Sequence, residues 1–477
     1  MRTRLLAILA PIVLLLACAV GPDFHRPAAP ADRPYTREVR GRSDRAPSFR
    51  DGGVVAGDWW RILQCPALDA VVGEALASNP GLEAARATLR QSQNSLRGGY
   101  GVFFPQANAQ AGVSRQLYNP APATLPSSTF NLFTVAGSVS YTVDLWGGNR
   151  RQVEILGAAV DSQRYALAAA YVMLTSNVVN AVIAQSAYRA EIEATQSTIA
   201  LLREQVHIAD VQATSGVVPY SNVLTLQSQL ASTLATLPPL EQKIDQVDDL
   251  LAALTGRVPA DYKERPVLLA DLQLPSDLPL SIPSQLVRQR PDILVAEAEL
   301  HAANANIGVA TAAMLPNITL SASYGFNNSS PGSLLSAGSP FWSLGAGLVQ
   351  PIFHGGALYY QRKAAIDARD AAAAEYRQTV LAAFEQVVDT LRALGHDADS
   401  LSAQIVAVET SEKAMHLIDA NYHAGIATYL QVLIADGQYL QAKTSYVQAV
   451  AQRLQDTVTL YVALGGGWWT TPAASHG

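Results

Sequence analysis

The 477 residues carry 33 Lys and Arg against 39 Asp and Glu, a formal net charge of −6, with 49% hydrophobic and only 15% charged residues. That mildly acidic balance gives no case for nucleic-acid binding, which needs clustered positive charge. The charged fraction is also low for a soluble coiled coil, so the faces of any long helix must find neighbours.

Arg2 and Arg4 precede an apolar run, Leu5 to Ala17, that is too short to span a bilayer and predicts a secretory signal over residues 1–17. Leu15-Leu16-Ala17-Cys18 resembles a bacterial lipobox, in which Cys18 is lipidated and becomes the first residue of the mature chain; the competing reading is an ordinary signal with an incidental cysteine. Ala19, where an Asp would favour inner-membrane retention, points to the outer membrane. Losing Arg2 and Arg4 moves the formal charge from −6 to −8. Once Cys18 is acylated, Cys65 is the one cysteine left and no intramolecular disulfide forms; Cys65 reads as a small buried residue. Residues 18–58 read as a lipidated, extended leader rich in Pro, Arg, Asp and Gly. Trp59 and Trp60 open the first folded segment, and Leu68, Val71, Val72, Ala75 and Leu76 mark an amphipathic helix that runs to Asn79.

The next stretch occurs twice. Pro80 opens a helix with Leu82, Leu89 and Leu96 seven residues apart; Pro105 closes it, and Ala107, Ala109, Ala111 and Val113 then alternate with polar residues. Some 211 residues later Pro291 opens a helix with Ile293, Leu300 and Ile307 in the same phase, Pro316 closes it, and Ile318, Leu320, Ala322 and Tyr324 alternate in turn. Matching prolines, heptad phase and switch from helix to strand period predict an internal duplication. The first repeat spans residues 59–256, the second 283–469, with a linker or equatorial segment at 257–282 and a disordered tail at 470–477.

Each copy holds a second strand. Val135, Gly137, Val139, Tyr141 and Val143 follow the loop from Asn119 to Ser128, and Leu344, Ala346 and Leu348 follow the loop from Asn327 to Pro340. Apolar residues on one face and small polar ones on the other suit a wall between lipid and water. Four strands cannot close a barrel, and lipid does not tolerate an open edge, so either the sheet is not in a membrane or several chains share one barrel; the second reading is the expectation here.

Asn149 to Ala213 and Ala357 to His423 are proline-free Ala/Gln/Leu-rich helices of about 65 residues, roughly 95 Å at about 1.5 Å per residue. Such lengths predict a coiled-coil tube or stalk. They end at matching turns, in which Gly216, Tyr220, Val223 and Leu224 have the spacing of Gly425, Tyr429, Val432 and Leu433. The first return helix is interrupted at Pro238 and Pro239; the second continues unbroken from Tyr429 to about Leu464.

On six stretches the chain resembles the TolC-like outer-membrane efflux family, in its lipoprotein branch. They are Cys18-Ala-Val-Gly-Pro-Asp-Phe24, Tyr141-Thr-Val-Asp-Leu-Trp-Gly147, Thr236-Leu-Pro-Pro-Leu240, Arg290-Pro-Asp-Ile293, Gln350-Pro-Ile-Phe-His-Gly-Gly356 and Leu460-Tyr-Val-Ala-Leu-Gly-Gly-Gly-Trp468. The resemblance implies an α+β membrane protein: a homotrimeric 12-stranded β-barrel, four strands per chain, continuous with a periplasmic tunnel of helices that is gated at its far end. It implies a lipid-anchored exit duct of a tripartite pump in the outer membrane of a Gram-negative bacterium, with a periplasmic adaptor and an inner-membrane RND-type transporter as partners, and a covalent lipid on Cys18 as the one attached group. The repeated turns suggest that Gly216, Tyr220, Gly425 and Tyr429 form the adaptor-docking tip, the competing reading of each Gly alone being a helix C-cap.

At the gate the chain departs from the family. Members often carry an Asp six residues past each turn Gly, and some an Arg two residues past the second; here stand Asn222, Gln431 and Ala427, with Ile434 at another commonly acidic place. The nearest repeated carboxylates are Asp210 and Asp419, six residues before each turn Gly, and these are gate candidates if they face the lumen and a solvated outer face if they do not. The competing functions are an exit duct for type I protein secretion, a non-conducting tether between membranes, and a secreted hydrolase with a helical stalk. No GxSxG, HExxH, CxxC or phosphate-cradling motif supports the last. His416 and His423, seven apart on one helix, lack a third ligand for a metal and read as exposed helix residues.

Overall fold

The computed structural model describes residues 19–30, 35, 47–53, 55–118, 127–263 and 265–470, so the signal and Cys18 lie outside the described residues. Within them the chain forms six strands: β1 Ser48–Asp51, β2 Gln106–Tyr118, β3 Ser128–Val143, β4 Asp277–Leu280, β5 Asn317–Asn328 and β6 Pro340–Val349. The α-helices are α1 Pro66–Ser78, α2 Pro80–Gly99, α3 Gly148–Thr214, α4 Tyr220–Leu234, α5 Leu237–Leu254, α6 Pro283–Gln289, α7 Pro291–Ala312, α8 Ala357–His423 and α9 Tyr429–Ala463. α3 and α8 have 67 residues each, about 100 Å at about 1.5 Å per residue, and both their starts (148 and 357) and their ends (214 and 423) are 209 residues apart. The duplication is therefore structural as well as sequential.

The chain divides into two compact units. The first takes Leu89–Gln163, Ala296–Arg377 and the described part of Met1–Pro27. It holds an antiparallel sheet in the order β2-β3-β5-β6, so the copies join where β3 of the first pairs with β5 of the second, from Phe133 opposite Asn328 to Val143 opposite Ile318. Both strand pairs reach the predicted loops to within a residue: β2 continues to Tyr118 and β3 begins at Ser128, the hairpin's ladder staying in register beyond the alternating apolar positions.

The second unit holds the main core, in which Leu63, Leu68, Ile183, Leu251, Leu286, Leu391, Leu394 and Leu454 are all but completely buried. Trp59 stacks on Tyr461 with ring centroids 5.4 Å apart. Among the described residues one helix, α3, is long and apolar enough to cross a membrane on composition alone, but 56% of its most apolar stretch is buried inside the fold.

The quoted motifs have local physical causes. The Asp144 carboxylate accepts hydrogen bonds from the backbone N–H groups of Asn149 and Arg150, both at 3.1 Å, satisfying donors that the first turn of α3 leaves free. Arg290 is buried; its guanidinium donates to Asp292, to Gln386 Oε1 at 2.8 Å and to the carbonyl of Ala463 at 2.9 Å, where α9 ends with unpaired acceptors. In the run Gly465-Gly466-Gly467 every φ is positive, and a Cβ on Gly467 would lie 2.2 Å from the Ala56 carbonyl oxygen, so a side chain fits neither the backbone nor the space. The break between α4 and α5 falls at Ala235–Thr236, ahead of the prolines, which occupy the first turn of α5 where a missing N–H costs nothing.

Two segments are more structured than the sequence predicts. Within the leader, Ser48–Asp51 pairs in parallel with β4 of the linker, Ser48 opposite Asp277, and Arg50 forms an ion pair with Asp277. Thr470, assigned above to the tail, ends a 3-10 turn and its Oγ1 accepts a hydrogen bond from Gly57 N at 2.7 Å; residues 471–477 lie outside the described residues. Period and composition could not reveal either, since one strand is four residues long and the other contact is a single hydrogen bond.

Candidate functional site

The sheet segregates its side chains face by face. Tyr141 lies opposite Leu320 and Leu320 opposite Ala346; Val139 lies opposite Ala107 and Ala322, and Ala322 opposite Leu344. On the other face Ser138, Asn108, Ser323 and Ser343 are aligned, as are Thr142, Thr319 and Gly347. The apolar face is uncovered within the chain, with Leu344 76%, Trp342 71% and Leu348 66% exposed. β2 and β6 are both edge strands of this sheet. An uncovered apolar face beside open edges is a structure that water penalises and that lipid plus further strands would satisfy.

The chain just after Cys18 is bound to the first unit. Val20 N donates to the Trp146 carbonyl at 2.8 Å, and Asn304 Nδ2 donates to the Pro22 carbonyl at 2.9 Å. Buried Arg151 donates to Asp23 at 2.7 Å and to Glu154 at 2.8 Å, and Arg26 pairs with Glu297 at 2.6 Å. Phe24 stacks on the His301 ring at 4.3 Å. Cys18 itself lies outside the described residues, but Val20, Pro22, Asp23, Phe24 and Arg26 behind it are held by the Trp146 carbonyl and by side chains of α3 and α7. Sequence reading found the Cys18 motif and missed its receptor, because Arg151, Glu154, His301 and Asn304 lie more than a hundred positions away.

The two turns have the same construction. Gly216 N donates to the Ala213 carbonyl and Val217 N to the Gln212 carbonyl; Gly425 N donates to Tyr422 and Ile426 N to Asn421 in the same pattern. This is the Schellman closure, which puts the residue after the helix in the left-handed region. Gly216 has φ +74 and Gly425 +73, and a Cβ at either would touch nothing within 4 Å. Backbone conformation, and no close approach within the chain, explains both glycines.

The surrounding residues have diverged. Thr428 caps α9, and its N–H donates at 2.7 Å to Gln431 Oε1, so this gate candidate accepts a bond at its own helix start. In the first copy Pro219 stands where Thr428 does and has no N–H to give; Asn222, the counterpart of Gln431, donates its backbone N–H to the Pro219 carbonyl at 3.0 Å. Ala427 is half-buried and donates its N–H to the Asn421 carbonyl. Tyr220 is 59% exposed, whereas Tyr429 is half-buried against the cluster of Leu202, Ala209, Val223 and Leu226. Val217 and Ile426, equivalent in the two turns, are 70% and 77% exposed.

The carboxylates six residues before each glycine also part company. Both are exposed, but only Asp419 has a described ionic neighbour, His423 Nε2 at 3.7 Å, and it lines a cavity with Tyr422, Tyr429 and Asp436. Burial pushes the Asp436 carboxyl up, opposed by a hydrogen bond from Gln205 Nε2 at 2.7 Å and reinforced by the charge of Asp419. Burial also raises Tyr429, with Asp436 and Tyr422 adding to it. Asp436 and Gln205 carried no sequence signal: a lone acid or amide on a helix becomes informative only when two helices bring them together.

Comparison with known proteins follows this geometry. The sequence profile described as outer membrane efflux protein matches residues 71–257 and 282–466, one segment per copy. The chain is 31% identical over 479 residues to the pyoverdine export outer membrane protein OpmQ of Pseudomonas aeruginosa, covering 98% of each chain. It is 26% identical to the probable outer membrane lipoprotein SilC of Salmonella typhimurium, over 98% of this chain and 99% of that one. The solved structure of the outer-membrane channel OprN superposes with a TM-score of 0.84 at 26% identity, covering 94% of this chain and all of that one. With a profile match in each copy and a full-length relative above 30% identity, the chain belongs to the outer membrane efflux protein family.

Proposed function

We propose that the chain is the exit duct of a tripartite efflux pump: three copies share a 12-stranded barrel in the outer membrane and conduct small molecules passively from the periplasm. The observation that carries this is the four-stranded sheet, with one apolar face uncovered and two edges free to pair. Two chains would give about eight strands, a barrel largely filled by its own side chains, whereas three give about 12 and an open lumen. The exported molecule is drawn from drugs, metals or other small solutes, and energy comes from an inner-membrane RND-type transporter. Lipid on Cys18 anchors the mature N-terminus, and the contacts made by residues 19–27 would fix that anchor beside the sheet.

The turns at Gly216 and Gly425 form the surface that meets the periplasmic adaptor. Val217 and Ile426 offer equivalent exposed apolar side chains in the two copies, which supports one docking surface used twice. Substituting the glycines would strain the turns themselves, so the sharper test charges these neighbours. Val217→Asp with Ile426→Asp is expected to abolish crosslinking to the adaptor and drug resistance in cells while leaving the trimer assembled; retained resistance would refute the docking assignment. Deleting the gene and measuring sensitivity to drugs, metals and organic acids identifies the exported class.

A further inference from the structure

We propose that the cavity enclosed by α3, α8 and α9 near the second turn binds a small organic cation, an amidinium or guanidinium carried on a short apolar body. The cavity measures about 260 Å³. Three carboxylates line it, Glu204, Asp419 and Asp436, and no Lys or Arg is among its lining residues. Asp436 is 5% exposed, and a buried carboxylate without a positive partner is costly. Its one described bond comes from Gln205 Nε2, which leaves the other end of that amide, Gln205 Oε1, buried with no hydrogen-bond partner. Tyr429 Oη is buried and unpartnered as well. Buried polar atoms that lack partners are rare in folded chains, and here two adjoin the carboxylates: an amide oxygen that can only accept and a phenol that can accept or donate.

The missing complement is thus positive and rich in N–H donors. A planar, forked cation can bond a carboxylate through two N–H groups and reach a neighbouring carbonyl oxygen with a third. Tyr422 and Tyr429, with ring centroids 6.2 Å apart in an edge-to-face arrangement, add ring faces that attract a cation. Leu201, Ile208, Met415 and Val432 supply apolar wall for the body of the ligand. A metal ion fits less well. His416 and His423 are seven residues apart on α8, about 10 Å along the helix at about 1.5 Å per residue, too far to share one ion. Among the described residues no three His, Cys, Asp or Glu groups are close enough together to hold one.

The test is calorimetric titration of the purified full-length protein with benzamidinium and with its neutral isostere benzamide. Benzamidinium is expected to bind saturably at one site per chain, at least tenfold more weakly in Asp436→Asn and in Asp419→Asn, while benzamide gives no heat at the same concentrations. Should Asp436→Asn fail to fold, the exposed Asp419→Asn and Glu204→Gln changes carry the test. Equal binding of benzamide, or an unchanged benzamidinium affinity in the Asp419→Asn, Glu204→Gln double variant, overturns the proposal. Bilayer conductance of the same preparation separates this from the duct reading: protein that conducts but does not bind benzamidinium overturns the cation site alone.

Discussion

At the scale of single residues, Gln431 shows how a position can be spent on local structure. Its side chain accepts the Thr428 N–H at the start of α9, and removing such a cap costs about 1 kcal/mol. Gln431→Ala is therefore expected to speed amide exchange at Thr428 and the first turn of α9 by roughly fivefold, since about 1.4 kcal/mol is a factor of ten; unchanged exchange would show that the bond contributes nothing. Asp397 gives a pH-dependent case. Burial, then a hydrogen bond and the charge of Asp456, push its carboxyl up to about 7, with Arg453 opposing. The folded chain therefore holds this proton where the unfolded chain, near 3.8, has lost it. Stability falls as pH rises from about 4 to about 7, and the full penalty stands above that. Asp397→Asn is expected to raise the melting temperature more at pH 8 than at pH 5, and an equal shift at both would exclude the titration.

At the scale of elements, the sequence was legible wherever a period or a repeat spoke. The strand alternation, the two 67-residue helices and the paired turns were all readable because each is a regular pattern, and the second copy checks the first. Single contacts were not. β1 pairing with β4, the receptor for residues 19–27, and the Gln205–Asp436 bond join positions that no local pattern connects. The Asp210 and Asp419 pair was read from its spacing, and the structure gives its members different surroundings, because Tyr429 and Asp436 have no Asp or Tyr of equal burial in the other copy. The sheet's division of faces yields a direct expectation. An Arg at the membrane midplane on a lipid face costs about 2–4 kcal/mol. Leu344→Arg should deplete the folded protein from outer membranes, measured by heat-modifiable mobility, while Thr319→Lys on the small polar face should be tolerated. Equal tolerance of both would mean that the apolar face does not meet lipid.

For the whole molecule, the uncovered sheet of the single chain points to copies of itself and to a membrane. The open edges of β2 and β6 need strands, and the apolar face needs lipid. A chain that only tethered two membranes would need neither a shared barrel nor a lumen, so conduction separates the readings. The most direct test is single-channel current from the purified full-length protein in a planar bilayer. Three chains around one open lumen predict discrete, uniform current steps, with one conductance per inserted trimer. Protein that inserts, as judged by protection of its sheet from added protease, yet passes no current at any applied voltage would contradict the account.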